Sequence, residues 1–250
     1  MTAVEKFHKR MNNAGGTLRL ERVRDSRRML QSTFADDPSY IAEGVQIWHT
    51  NRIIHPRINE YVWKSTLPFQ ADIQTMYDEP IYMGDCLQWK NNGWWMVTGC
   101  INKHDIHWWG QIQFCDWWLT FYSPLDGSLL EYPVALYNAT QYGVGEERKA
   151  HLTVGSSQHQ CFITDDEHTR MIDSGFRFMV DKNMKMPSVY KVTQVDTSTH
   201  NTLAGGGFFR LTFVEDQFNP VTDDNVRGIA DAFEDPLNNG EEMHDTGKWI

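Results

Sequence analysis

The chain has few of the features that mark a membrane, secreted or DNA-reading protein. No segment approaches the roughly 20 apolar residues of a membrane span. Residues 1–13 are polar and charged, without the apolar run of a secretory leader. The formal net charge of −10 makes the surface repel nucleic acid and anionic membranes. We therefore expect a protein that is made in a cytoplasm, has no membrane association and reads no DNA sequence.

Cysteine is scarce and has no CxxC spacing. The four cysteines are Cys86, Cys100, Cys115 and Cys161. In a reducing compartment most of them should be buried thiols. Cys100, His104, His107 and Cys115 are the residue types that zinc prefers, but the closely spaced Cys pair of a structural zinc site is missing. We predict strand cysteines, a turn over residues 104–107, and neither a metal site nor a cofactor.

Catalytic motifs are also missing. Ser156, Ser157, His159, Asp165 and Asp166 are the residue types of a nucleophilic triad, yet no G-x-S-x-G elbow surrounds either serine. The acidic residues at 165–167 and 223–224 do not follow the spacing of a calcium-binding loop. We predict that the protein is not an enzyme and assign no catalytic residue.

Tryptophan, in contrast, is abundant and clustered. Seven of the ten tryptophans lie in residues 89–118, and six of these form the pairs Trp94-Trp95, Trp108-Trp109 and Trp117-Trp118. Neighbouring side chains of a strand point to opposite faces of the sheet. Each pair therefore predicts one indole in a core and one facing a second layer, a subunit or a ligand. A platform for stacking sugars is the alternative use of these indoles.

Alternating apolar residues and turn signals predict a mainly β protein. Residues 84–89 and 94–97 flank an Asn-Gly sequence and read as a β-hairpin. Later strands are predicted at 131–137, 151–154, 160–164, 176–180, 189–196 and 207–213. Short strands at this spacing favour barrels or sandwiches. The sequence thus predicts a first, Trp-rich β domain over residues 31–125 and a second β domain over residues 126–216.

The two ends of the chain carry opposite charge. Residues 5–28 hold eight Lys or Arg against three acids, and residues 4–11 have the apolar spacing of a short helix. We predict an N-terminal helix and basic arm over residues 1–30. The last 36 residues hold ten acids against two basic residues, which predicts an acidic tail over residues 217–250, with a short helix at 225–233. These ends suit subunits that clasp their neighbours in a ring, and the alternative is a solvated basic arm and a charged, solvated tail.

Several short motifs occur in a consistent order. They are residues 37–40 (DPSY), 83–89 (MGDCLQW), 94–97 (WWMV), 112–119 (IQFCDWWL), 177–178 (RF), 190–196 (YKVTQVD) and 211–217 (LTFVEDQ). In this order the chain resembles a family of virion proteins of tailed bacteriophages that infect Gram-positive bacteria. The resemblance spans roughly residues 20 to 225. It implies a head–tail connector or head-closure (stopper) protein and no catalytic residues.

That resemblance implies a place and a set of partners. The place is the virion neck, at the head–tail junction, after synthesis in the host bacterial cytoplasm. The partners are other copies in a six- or twelvefold homo-oligomeric ring, portal or adaptor proteins, tail proteins, and double-stranded DNA passing through without sequence readout. We predict a subunit or partner interface at Phe7, Arg27, Arg28, Trp94, Trp95, Trp108, Trp109 and Trp249. The alternatives are a tail-associated carbohydrate-binding or host-recognition module, and a zinc-dependent or hydrolytic enzyme.

Overall fold

A computed structural model describes residues 2–13, 17–50, 52–60, 69–138, 159–180, 188–200 and 206–232. The chain divides into two compact units, an N-terminal unit (Met1–Phe114) and a C-terminal unit (Cys115–Ile250). Both units are built mainly from β-strands, as the sequence predicts. Within the described residues, no helix combines the length and apolar character that crossing a membrane requires.

The N-terminal unit begins with two helices and continues with seven strands. The helices are α1 (Ala3–Asn13) and α2 (Leu18–Phe34), and the strands are β1 (Val45–Gln46), β2 (Ile53–Ile54), β3 (Arg57–Glu60), β4 (Gln70–Met76), β5 (Cys86–Trp89), β6 (Gly93–Lys103) and β7 (His107–Cys115). Five strands form one antiparallel sheet in the order β3-β4-β7-β6-β5, and β1 pairs with β2. Helix α2 begins within the residues that the sequence predicted only as a basic arm after the first helix.

The predicted hairpin is confirmed as β5 and β6. Leu87 pairs with Trp95, and the strands reverse at Lys90, Asn91 and Asn92. All three turn residues have left-handed backbone angles, with φ of 47°, 55° and 58°. Asparagine tolerates this region better than most residues, so the two asparagines suit the reversal. The turn residues His104 and Asp105, with φ of 55° and 60°, confirm the second predicted reversal, between β6 and β7.

A continuous apolar core lies on one face of the five-stranded sheet. Its buried members are Val45, Ile47, Ile54, Ile58, Ala71, Ile73, Ile81, Leu87, Trp95, Val97 and Ile112. Side chains alternate between the two faces of the sheet along β4, so Ala71 and Ile73 lie in this core and Asp72 faces away from it. Cys86 and Met96, which are paired across β5 and β6, are also buried. The sheet therefore has buried side chains on both faces, as its aromatic pairs predict.

Gly110 marks a close approach between β7 and its neighbour. A Cβ atom at Gly110 would lie 2.6 Å from the carbonyl oxygen of Gly99, whereas a Cβ at Gly99 would meet nothing within 4 Å. We expect Gly110→Ala to lower the free energy of unfolding of the N-terminal unit by about 1–3 kcal/mol, because the backbone must shift. Urea denaturation followed by tryptophan fluorescence measures this loss. Gly99→Ala is the matched control, and equal losses in the two variants would contradict the prediction.

The C-terminal unit is a six-stranded antiparallel sheet that curls into a nearly closed barrel. Its strands are β8 (Trp117–Tyr122), β9 (Leu129–Asn138), β10 (His159–Thr164), β11 (Arg177–Met179), β12 (Val189–Asp196) and β13 (Phe208–Asp216), in the order β11-β12-β13-β10-β9-β8. The edge strands β8 and β11 meet through aromatic side chains, with the rings of Phe121 and Phe178 5.6 Å apart. Five of the six strands predicted in the second domain match described strands, and residues 151–154 lie outside the described residues.

Two predicted boundaries differ from the structure. The units separate after Phe114 rather than at residue 125, because β8 pairs with β9 and so belongs to the C-terminal sheet. Residues 217–232, predicted as the start of the tail, pack on the barrel and bury Asp223 and Ile229. Over residues 225–232, the described part of the predicted helix at 225–233, the chain instead forms turns in which Ile229 pairs back to Asp224, and Gly228 has a φ of 73°. Residues 233–250 lie outside the described residues.

Candidate functional site

The N-terminal helices form an exposed arm, and the first of them, α1, has an apolar stripe. Thr2 and Glu5 cap α1 reciprocally: the Thr2 amide donates to Glu5 Oε2 at 2.7 Å, and the Glu5 amide donates to Thr2 Oγ1 at 3.2 Å. Val4 and Phe7 lie one turn apart on α1 and remain 64% and 48% exposed. Leu18 and Leu20 at the start of α2 are each half-exposed. The first half of the arm therefore leaves apolar surface uncovered.

The far end of α2 is fixed to the β-structure of its own unit. Arg57 on β3 donates from Nε to the Phe34 carbonyl at 2.8 Å and from Nη2 to the Thr33 carbonyl at 2.7 Å. These carbonyls are at the C-terminus of α2, where a cation also interacts favourably with the helix dipole. The same guanidinium lies 4.2 Å above the Phe34 ring, and Phe34 is the buried residue of α2.

The predicted arm residues fall into two kinds. Arg27 is a second anchor, because its guanidinium donates to the Asp105 carbonyl and lies 3.4 Å from the centre of the Tyr77 ring. Arg28 is exposed, as are Arg19, Arg22 and Arg24. Arg10 on α1 lies 3.7 Å from Glu21 on α2. The arm thus presents arginine side chains beside its apolar stripe, a combination that suits a partner with both apolar and acidic surface.

The paired tryptophans divide between core and surface. Trp95 is buried in the core cluster. Trp108, on β7, is partly buried and packs against the same cluster. Trp94 and Trp109 are half-buried, and the Lys103 ammonium lies 4.5 Å from the Trp109 ring. In the C-terminal unit, Trp118 is 40% exposed. Trp95, which the sequence predicted at an interface, is therefore a core residue. Trp249, also predicted at an interface, lies outside the described residues.

The candidate zinc ligands do not form a metal-ligand cluster. No group of three or more His, Cys, Asp or Glu side chains suited to a metal occurs in the part of the chain that the structure describes. Burial raises the pKa of the Cys100 thiol, which disfavours the thiolate that zinc requires. Burial, together with the nearby Lys103, lowers the pKa of His107. The sequence spacing of these residues reflects strand and turn positions.

The candidate triad residues also have separate structural roles. His159, at the start of β10, has its ring nearly parallel to that of Phe213 at 6.1 Å. Asp166 accepts a 2.6 Å hydrogen bond from the Tyr132 hydroxyl and caps the following 3₁₀ turn. Asp165 forms a two-point ion pair with Arg170. Ser156 and Ser157 lie outside the described residues.

A serine–histidine pair that the sequence did not indicate occurs in the C-terminal unit. Ser123 Oγ lies 2.9 Å from His168 Nδ1, and Asp126 Oδ1 lies 3.9 Å from the same nitrogen. A catalytic relay needs a carboxylate hydrogen-bonded to the imidazole nitrogen opposite the serine, and the carboxylate nearest that nitrogen, Glu167 Oε1, is 3.9 Å away, too far for a hydrogen bond. Ser123 is fully buried, and its oxygen accepts a hydrogen bond from the Leu125 amide. This cluster therefore stabilises the turn between β8 and β9.

Arg177 is the centre of a carboxylate network in the C-terminal unit. Its guanidinium donates to Asp216 at 2.9 Å, to both oxygens of Asp223 at 2.9 and 3.0 Å, and to Asp231. A cavity of about 390 Å³ beside it is lined in part by Phe121, Tyr122 and Phe176. Because three carboxylates already neutralise Arg177, it is not available to bind an anion there. The network joins residues 217–231 to the barrel.

A polar groove lies at the tip of the predicted hairpin, in the N-terminal unit. It has a volume of about 570 Å³ and is lined in part by Tyr40, Trp89 and four amide side chains, Gln46, Gln88, Asn91 and Asn92. The sequence reasoning treated this segment as a structural turn and looked for sugar stacking at the tryptophan pairs. The sequence signal that was available is Trp89 followed, after Lys90, by Asn91 and Asn92.

Comparisons with known proteins identify no family. No family model matches the chain, and no curated protein matches it. Two solved structures are similar to it, both of MrkH. One is K. pneumonia MrkH in its apo state, with 9% identity, a TM-score of 0.22, and coverage of 82% of this chain and 88% of that chain. The other presents MrkH as a novel c-di-GMP-dependent transcription regulatory factor, with 9% identity, a TM-score of 0.23, and coverage of 82% and 87%. These TM-scores support no inference about fold or function.

Proposed function

We propose that this protein is a structural component of a tailed-bacteriophage neck, acting as a head–tail connector or head-closure protein. It assembles into a six- or twelvefold ring between portal or adaptor proteins and tail proteins, and double-stranded DNA passes through the ring. The motif order over residues 20 to 225 supports the proposal. Its function consists of docking and gating, without a chemical step.

The observation that carries the proposal is the uncovered apolar stripe on α1, together with the half-exposed Leu18 and Leu20 at the start of α2. Apolar side chains at Val4, Phe7, Leu18 and Leu20 gain free energy when a partner removes them from water, at about 25 cal/mol per Å². The arm is fixed at Arg27 and Arg57, so its free end can reach outward from an ordered base. A second copy of this acidic chain offers charge that complements the exposed arginines.

The negative net charge of the chain also suits a ring through which DNA passes. Each Lys or Arg that contacts a phosphate releases counterions and adds affinity for DNA, which slows sliding. The chain has a net charge of −10, and eight of its 23 Lys and Arg residues lie in the arm. A ring with this composition repels the phosphate backbone and lets the genome move.

The test is the composition and structure of purified phage particles. We expect mass spectrometry to find the chain in the particles and cryo-electron microscopy to fit it as a ring below the portal. The double variant Val4→Asp and Phe7→Asp should abolish incorporation and lower the infectious titre, because it places charge on the apolar stripe. Val226→Asp, at an apolar residue that is 89% exposed in the C-terminal unit, is the matched control. Absence of the chain from the particles would refute the proposal.

A further inference from the structure

A second groove of the N-terminal unit lies between the first half of α2 and the turn that joins β6 to β7. This arm groove has a volume of about 550 Å³, and on the turn side it is lined by His104 and Ile106. The Arg27 guanidinium donates to the carbonyl of Asp105, the residue between them, and so holds the helix against the turn. The two walls of the groove therefore keep a fixed spacing.

The helix residues that line the arm groove share one side of α2. Leu18, Arg22 and Ser26 line it and follow one another at a spacing of four residues. Arg19 and Val23 also line it and have the same spacing, one position further along. Residues four apart lie one above the other on a helix, and at 3.6 residues per turn these five span an arc of about 140°. One bound segment can therefore contact all of them.

The arm groove carries uncompensated positive charge. Arg19 and Arg22 are exposed, and neither forms an ion pair with another residue in the ranges that the structure describes. None of the described residues that line the groove is acidic. Asp25 and Asp105 are exposed beside it but do not line it. Because guanidinium groups form their strongest hydrogen bonds with carboxylates and phosphates, the groove favours an anionic occupant.

Apolar side chains beside the arginines distinguish between the two kinds of anion. Leu18 is 50% exposed, and Val23 and Ile106 are each partly exposed. A phosphate backbone pairs with arginine but offers little apolar surface, so it would leave these three side chains in contact with water. An acidic peptide that also carries an apolar residue covers them and pairs with the arginines. The groove therefore favours an acidic peptide over nucleic acid.

This chain contains a segment of that composition. Residues 233–250 hold five acids against one basic residue. Glu241 and Glu242 are adjacent, and Met243 follows them. The last described residue is Ala232. The chain from there to Glu241 can span at most about 30 Å when fully extended, which is long enough to reach a neighbouring copy.

We propose that the arm groove binds the acidic segment around Glu241 and Glu242 of a second copy of this chain. The two carboxylates pair with Arg19 and Arg22, and Met243 covers the apolar side chains of the groove. This inference rests on the proposed neck role, which requires neighbouring copies, and it names the segment that joins them. The contact is head-to-tail, so each copy gives one segment and receives another, as a closed ring requires.

The test is self-association of the full chain, measured by analytical ultracentrifugation over a range of protein concentrations. We expect the unaltered chain to associate, and to do so more weakly when the salt is raised from about 0.05 M to about 0.5 M. A groove variant with Arg19→Glu and Arg22→Glu should associate about tenfold more weakly or worse. A tail variant with Glu241→Arg and Glu242→Arg should show the same loss, because each variant alone sets like charges against each other.

An equimolar mixture of the two variants is the decisive sample. Each groove then meets a segment of opposite charge on the other variant, so association should return. A contact between groove and segment of the same chain would not be restored by mixing. The matched control carries Lys191→Glu and Arg227→Glu, the same charge change at two exposed residues of the C-terminal unit, and should associate like the unaltered chain. Arg19→Glu places an acid in the first turn of α2, where the helix dipole favours it, so the groove variant should keep its fold.

Four outcomes would overturn the proposal. They are an unaltered chain that stays monomeric at every concentration, a mixture that associates no better than its components, an equal loss in the control variant, and a DNA duplex that binds the unaltered chain but not the groove variant. None of these results bears on whether the chain is present in phage particles. The neck role and the arm groove contact therefore fail separately.

Discussion

Replacing Arg177 with alanine will lower the free energy of unfolding of the C-terminal unit by about 3–5 kcal/mol. Arg177 donates to three carboxylates, and the side chain of Asp223 is fully buried. Removing the guanidinium leaves these carboxylates close together without their cation, and a buried unpaired charge is among the most destabilising changes known. Calorimetry and urea denaturation followed by circular dichroism measure the loss.

The effect of Arg177→Ala should be full near neutral pH and shrink only as the pH falls below the ordinary aspartate pKa of 3.8. Burial raises the pKa of Asp223, but the amides of Asp231 and Asn219 and the Arg177 guanidinium outweigh it, so the pKa is lowered overall. A carboxylate with a lowered folded-state pKa stabilises the protein at neutral pH, and this contribution disappears as the pH falls through that pKa. The unaltered protein therefore loses its advantage over the variant in acid.

The matched control for this prediction is Lys191→Ala. Lys191 is the cross-strand neighbour of Arg177 on β12, and it is exposed. Its removal should change stability by no more than about 0.5 kcal/mol. Equal losses for the two variants, or a loss for Arg177→Ala that is independent of pH, would show that the carboxylate network contributes little.

Phe121→Ala should destabilise the C-terminal unit by about 3–5 kcal/mol, since it removes the ring that joins the two edge strands of the barrel. Phe121 on β8 is 1% exposed, and its ring lies 5.6 Å from the rings of Tyr132, Phe176 and Phe178. The loss combines the buried apolar surface with the cavity that remains. In the Phe121→Ala variant, we also expect the backbone amides of β11 to exchange with deuterium faster than those of β12 and β13.

Leu129→Ala provides the control for the aromatic cluster. Leu129 pairs with Tyr122 at the far end of β8 and is 48% exposed. Its removal should cost less than about 1 kcal/mol and leave exchange in β11 unchanged. If Phe121→Ala unfolds like this control, the contact between β8 and β11 does not stabilise the barrel.

Strand positions were predictable where alternation and turn chemistry agree. The β5–β6 hairpin follows from its alternating apolar residues and its asparagine turn, and β12 (Val189–Asp196) was predicted with its observed bounds. Helix α2 was missed because it buries little besides Phe34, so its sequence has no clear apolar stripe. Arg57, which is distant in sequence, anchors its end and could not be recognised from local pattern.

The N-terminal arm and the groove at the hairpin tip could be predicted from the sequence to different degrees. Phe7 and the basic residues of the arm were visible in the sequence because charge and helical spacing are local properties. The groove at the tip of the β5–β6 hairpin was not visible, because Gln46 is distant in sequence from Gln88 and Trp89, which also line it. Their proximity results from the pairing of Ile47 with Leu87 across 40 residues of chain.

The amino-acid sequence by itself determined the mainly β character, most strands and the opposite charges of the two ends, since these depend on neighbouring residues and on composition. Tertiary structure decided that Trp95 is buried while Trp94 is only half-buried, where the chain divides into units, and whether residues 217–232 form a tail or part of the barrel. The last of these depends on Arg177, whose guanidinium binds Asp223 and Asp231 from a distant strand. Such long-range pairing sets the burial of a charged segment, and local sequence carries no signal for it.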